Sequence, residues 1–171
     1  MVPDTVIELP HASTPSVQLD TTVAPAPAES EMQHLLIPIP GVSWSELHDS
    51  FNEKRGERTH HALDIMAPRG TPVLSVDGGT LLKLHNSVPG GLTAYAADRT
   101  RHYIYMYGHL DSYNPSLREG QALARSDTIG FVGSTGNAAA AGPHLHFAVA
   151  RNDDMKKWWQ GTPVDPRPLM R

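Results

Sequence analysis

A chain of 171 residues is long enough for one domain with its own core plus a tail. Its 14 Gly and 15 Pro exceed the ~12% share of ordinary proteins, which favours a turn-rich, mostly β fold over a helical bundle. A net charge of −4 without a block of Lys and Arg gives no footing for nucleic acid. The absence of cysteine excludes disulfides, thiolate catalysis and zinc fingers.

Residues 1–33 contain PHASTPS and TTVAPAPAES, rich in Pro, Ala, Ser and Thr. Such a segment buries too little apolar surface to offset its ordering entropy and reads as a tail or linker. The alternative is a pro-segment covering the active site. The globular part, residues 34–171, opens near HLLIPIPG. No apolar run approaches the ~20 residues of a membrane span, and residue 1 does not open a signal peptide. Any export signal or anchor is expected to lie outside this sequence.

From there, short apolar runs alternate between Gly, Pro, Asn and Asp. They predict strands over His60–Met66, Thr71–Val76, Thr80–His85, Leu92–Ala96, His102–His109, Thr128–Val132 and His144–Ala150. Helices are expected at Ser43–Asn52, where Leu47 and Phe51 share a face, and near Asp153–Gln160.

Three of the strands carry histidine, and alternate residues of a strand share a face. In THHALDIM, His60, Ala62 and Asp64 lie opposite His61, Leu63 and Ile65. In PHLHFAVA, His144, His146 and Ala148 lie opposite Leu145, Phe147 and Val149. In HYIYMYGHL, alternation puts His109 on the face of Tyr103, Tyr105 and Tyr107, opposite Ile104, Met106 and Leu110. With the greasy faces in a core, the others can line one groove. A catalytic zinc takes three protein ligands and leaves a fourth position open. His60, Asp64 and one histidine of the HxH pair supply that set, and two further histidines remain for proton transfer or oxyanion stabilisation. No HExxH occurs, so a helix-borne site of that type is absent.

The motifs HHALDIMAPRGTPV, YGHL and STGNAAAAGPHLHF occur in this order. Together they make the chain resemble the lysostaphin/LytM-type family of zinc metallopeptidases, over roughly residues 35–168. The resemblance implies mainly antiparallel β-sheets forming a narrow groove with loop walls. It makes His60, Asp64 and His146 ligands of one zinc ion, and His109 and His144 the catalytic histidines. It also implies hydrolysis of amide bonds in peptidoglycan peptides, by a monomer in the periplasm, secreted, or in the cell envelope. The alternative is a catalytically silent wall-binding module that activates other wall hydrolases; a third reading is an enzyme held latent by its tail. Ala62 stands where the family has Gly and is expected to narrow the groove, while Gly108 in YGHL replaces the family's Ala. His11, His34, His48, His61, His85 and His102 read as surface or packing residues, with His61 on the core side of its strand. Trp158 and Trp159 read as packing residues, with stacking on sugar rings as the alternative. Asn86 and the tyrosines of the His102–His109 strand are expected along the substrate path.

Overall fold

The computed structural model describes residues 34–139 and 141–171, so the tail expected over residues 1–33, including His11, lies outside the described residues. Eleven strands follow in chain order: β1 Lys54–Arg55, β2 Arg58–Thr59, β3 Leu63–Met66, β4 Pro72–Leu74, β5 Gly79–Ser87, β6 Gly91–Asp98, β7 Tyr103–Tyr113, β8 Ala122–Leu123, β9 Thr128–Val132, β10 His144–Arg151 and β11 Thr162–Val164. The first two make a small hairpin. The others form one sheet whose longest path runs β11-β10-β7-β6-β5-β8, with β3 on β10, and β9 joining β7 to β4. Every pair is antiparallel.

Both expected helices are corrected. Each shrinks to a 3-10 turn, Trp44–Glu46 and Met155–Lys157. After the first turn, Leu47 is already extended, and the backbone beyond it is spent elsewhere: the Ser50 carbonyl accepts from Glu53 N, and the Phe51 carbonyl from His61 N. Leu47 and Phe51 therefore never come to share a helical face. In the second segment, Asn152 Nδ2 holds the Lys157 and Gln160 carbonyls in a loop. That loop seats Trp158 against Tyr95, ring centroids 4.7 Å apart, as the packing reading expected.

The sheet is covered on both sides. The main core gathers Leu63, Ile65, Tyr105, Tyr107, Leu145, Phe147 and Val149. A second cluster on the opposite face holds Ala62, Tyr95, Ala97, Ile104, Met106, Ala148 and Trp158. Strands with apolar residues on both faces are stabilised on both, at ~1.5–3 kcal/mol for each large side chain fully buried.

This layering overturns two expectations. Tyr103, Tyr105 and Tyr107 are core residues, at most 2% exposed, and line no substrate path; Tyr107 Oη accepts a hydrogen bond from the buried Val76 N at 3.1 Å. Ala62 is fully buried in the second cluster, so it does not narrow a groove. Asn86 is exposed.

Candidate metal and catalytic site

The site lies where β10 runs between β3 and β7. His146 is in register with Asp64 on one side and with Gly108 on the other. A side chain at Gly108 would meet His146 Cβ at 3.5 Å, an ordinary contact, so the position accepts Gly or Ala. Leu63 and Ile65 point into the main core, which sends Asp64 to the opposite face.

His60 does not share that strand. The expected run from His60 starts only at Leu63, because His61 adopts φ +55° and breaks the extended chain. His61 is half-buried, its ring 5.4 Å from Phe51, and joins neither the main core nor the metal-type cluster. His60 instead reaches the site from a loop, its Nδ1 3.0 Å from the Ser50 carbonyl.

Strict alternation also fails at His109. Tyr107 and Leu110 both enter the main core although two residues separate them. On β6 their partners Ala94 and Leu92 are separated by only one. The extra residue makes a β-bulge, and the His109 backbone takes φ +59° within it. A left-handed non-glycine residue costs about 1–2 kcal/mol. Two hydrogen bonds offset it, His109 N to the Gly90 carbonyl and Nδ1 to the Thr135 carbonyl, both 2.9 Å. The bulge turns the imidazole away from the tyrosine face and toward His144 and His146, at ring-centroid distances of 5.0 and 5.5 Å. Thr135 is itself locked, its hydroxyl donating to the Leu110 carbonyl at 2.7 Å and accepting from Leu92 N at 3.0 Å. Gly91, at φ +63°, permits this approach: a Cβ there would lie 2.2 Å from Thr135 Oγ1.

The three candidate ligand atoms form a nearly equilateral triangle. His60 Nε2 is 3.2 Å from both His146 Nδ1 and Asp64 Oδ1, and His146 Nδ1 is 3.1 Å from Asp64 Oδ1. Tetrahedral zinc with bonds of ~2.0–2.2 Å separates its ligands by roughly 3.3–3.5 Å. Among the described residues these three are the group of His, Asp and Glu side chains able to hold a metal ion.

Tautomers follow from the neighbours. A carbonyl only accepts, so in the neutral ring Nδ1 of His60 carries the proton donated to Ser50, and Nε2 presents a lone pair. His109 and His144 are held likewise, by the carbonyls of Thr135 and of Gly142 at 2.9 Å. Three imidazoles thus turn Nε2 to the centre, with His144 Nε2 3.7 Å from Asp64 Oδ1. Lone pairs of His60 and Asp64 facing each other at 3.2 Å suit a cation between them.

Burial alone would raise the Asp64 carboxyl, but the His146 and His60 imidazoles beside it outweigh burial and hold the group well below the usual carboxylate range. Burial, then the charges of His146 and His144, push His109 down to about 4. Burial likewise lowers His146 against the opposing pull of Asp64. Asp64 is therefore held ionised, and His109 and His146 are biased toward the neutral ring, the forms that metal binding favours.

Two arginines add contacts that strand alternation does not reveal. Arg55 Nη2 donates to Asp64 Oδ2 and to Glu53 Oε2, both at 2.9 Å. Arg69 joins three segments, pairing with Asp111 and donating to Ser134 Oγ at 2.6 Å. Their roles come from tertiary contacts, and only the spacing of the main motifs marks the region in sequence. The remaining described histidines sit apart: His48 pairs with Glu53, His102 with Asp153, His34 Nδ1 is 3.1 Å from the Arg171 carbonyl, and the His85 ring lies 5.4 Å from Trp158.

The chain is similar to several known proteins. The Cell division protein DipM of Caulobacter vibrioides is 30% identical over 160 residues, 92% of this chain and 25% of that protein. The L-Ala--D-Glu endopeptidase of Bacillus subtilis is 30% identical over 121 residues, 68% of this chain and 36% of that protein. The chain thus spans between a quarter and little more than a third of these relatives' length. The catalytic domain of the antimicrobial peptidase lysostaphin from Staphylococcus simulans superposes with a TM-score of 0.58 at 26% identity, covering 69% of this chain and 84% of that one. The sequence model of Peptidase family M23 matches residues 58–166. With the antiparallel fold and all three motif segments inside that match, the chain belongs to Peptidase family M23.

Proposed function

We propose that this protein is a zinc-dependent endopeptidase that hydrolyses amide bonds in the stem peptides or cross-links of peptidoglycan. The observation that carries the reading is the triangle of His60 Nε2, Asp64 Oδ1 and His146 Nδ1, with two further imidazoles turned toward it. Relatives named as an L-Ala--D-Glu endopeptidase and a DD-carboxypeptidase/endopeptidase support the substrate class.

His60, Asp64 and His146 would hold the ion. Zinc bound there supplies a Lewis acid that polarises the scissile carbonyl and makes hydroxide available near neutral pH. His109 and His144 act from the side with Nε2 free. Neutral at working pH, His109 can accept a proton from the attacking water and return it to the leaving amine, while His144, whose Nε2 also presents a lone pair, can accept a hydrogen bond that orients that water. The Thr135 and Gly142 carbonyls keep both rings in the required tautomer throughout. A cell-envelope location accords with relatives named as a cell division protein and a lipoprotein. The chain would act as a monomer, with residues 34–171 as the peptidase unit.

The competing reading is a silent wall-binding module. The presence of all five side chains in one cluster favours the enzyme, since a binding role does not need them. Metal analysis of the purified protein together with hydrolysis of purified peptidoglycan tests the proposal. About one zinc per chain with turnover supports it; stoichiometric zinc without turnover favours the silent module.

A further inference from the structure

His60 and Asp64 are four residues apart, yet no regular strand connects them, because the chain turns left-handed at His61. Something outside the segment must set the distance between them. Ser50, 1% exposed, touches the segment at three points. Its carbonyl lies 3.0 Å from His60 Nδ1. Its hydroxyl donates to the Ala62 carbonyl at 3.1 Å and accepts from the Asp64 N–H at 3.1 Å. One buried residue therefore holds the ring of the first candidate ligand, the backbone of the second, and the link between them.

We propose that Ser50 is the positioning residue of the metal site, fixing the His60 tautomer and the His60–Asp64 spacing before an ion arrives. The inference rests on the zinc reading above. Alanine at this position keeps the carbonyl but removes the hydroxyl, leaving the Asp64 N–H and the Ala62 carbonyl without their partner in a buried place. Both ligands are then free to drift from the arrangement an ion needs. Loss of such an outer partner typically weakens metal affinity about 10–100-fold.

A purely structural serine would also destabilise the fold when replaced, so the control is Ser75→Ala. Ser75 is equally buried and its hydroxyl donates to the Asp77 carbonyl at 2.7 Å, in the β4–β5 connection. Zinc dissociation constants are measured by competition with a chromophoric chelator for wild type, Ser50→Ala and Ser75→Ala. The expected result is a loss of about tenfold or more in Ser50→Ala, with Ser75→Ala close to wild type. A smaller loss, or an equal loss in both variants, overturns the proposal. A wild-type protein that takes up no zinc overturns the metal reading itself and this inference with it.

A second measurement needs no variant and decides the matter should Ser50→Ala not fold. Long-range proton–nitrogen NMR on metal-free wild type reports the His60 tautomer. The Nδ1–H form is expected; the Nε2–H form would overturn the role given to the Ser50 carbonyl.

Discussion

Asp64 and His146 stand opposite each other across the β3–β10 pairing, Oδ1 3.1 Å from Nδ1, and His60 Nε2 closes the triangle 3.2 Å from each. A ladder pair is a rigid way to hold two candidate ligands, since slipping one strand by a single residue would send its ligand to the other face.

Removing His146 is therefore expected to end stoichiometric zinc binding. His146→Ala should also lower the melting temperature of the zinc-loaded protein, because an ion at 100 times its dissociation constant adds about 2.7 kcal/mol to the folded state. Metal analysis and a thermal scan with and without zinc check both. Unchanged zinc would remove His146 from the ligand set.

The left-handed turn at His61 separates two adjacent histidines. His61→Asn is expected to keep full zinc, because that ring packs on Phe51, whereas His60→Asn should lose it. Asparagine tolerates positive φ, so the first variant should fold normally. The reverse pattern of metal contents would show that the ligand is His61.

His109→Ala separates binding from catalysis. The ring lies beside His144 and His146 but outside the triangle of ligand atoms. The variant should retain near-stoichiometric zinc and a native fold while hydrolysis falls on the order of a hundredfold to a thousandfold. A drop of less than about tenfold would reduce His109 to a strand-bulge residue, and lost zinc would make it a ligand.

Tyr107→Phe tests the reassignment of the tyrosine face. Loss of the hydroxyl leaves the buried Val76 N–H unpaired, which should cost about 1–3 kcal/mol of stability. Zinc content and KM should stay unchanged. A KM effect without loss of stability would return the tyrosine to the substrate path.

Much of this was legible in the sequence. The strand over Thr128–Val132 has the bounds expected of it, and the faces of Asp64 and His146 follow from period-two patterning. The failures share one cause, the use of local periodicity where long-range contacts decide. His109 lies on the site side only because a bulge inserts one residue after Tyr107, anchored by Gly90 and Thr135 from distant loops. His60 is fixed by Ser50, ten residues upstream in a segment whose Leu47 and Phe51 spacing imitates a helix. The tyrosine face escapes alternation because β7 is apolar on both faces, and period-two patterning cannot say which face meets the larger core.

The most direct measurement is mass spectrometry of the fragments released from purified peptidoglycan by wild type, by wild type stripped with a chelator, and by the stripped protein with zinc restored. The account predicts fragments whose masses report a cleaved peptide amide, their disappearance on chelation and their return with one equivalent of zinc. Release that persists at full rate in the stripped protein, or intact peptides in every sample, would contradict it.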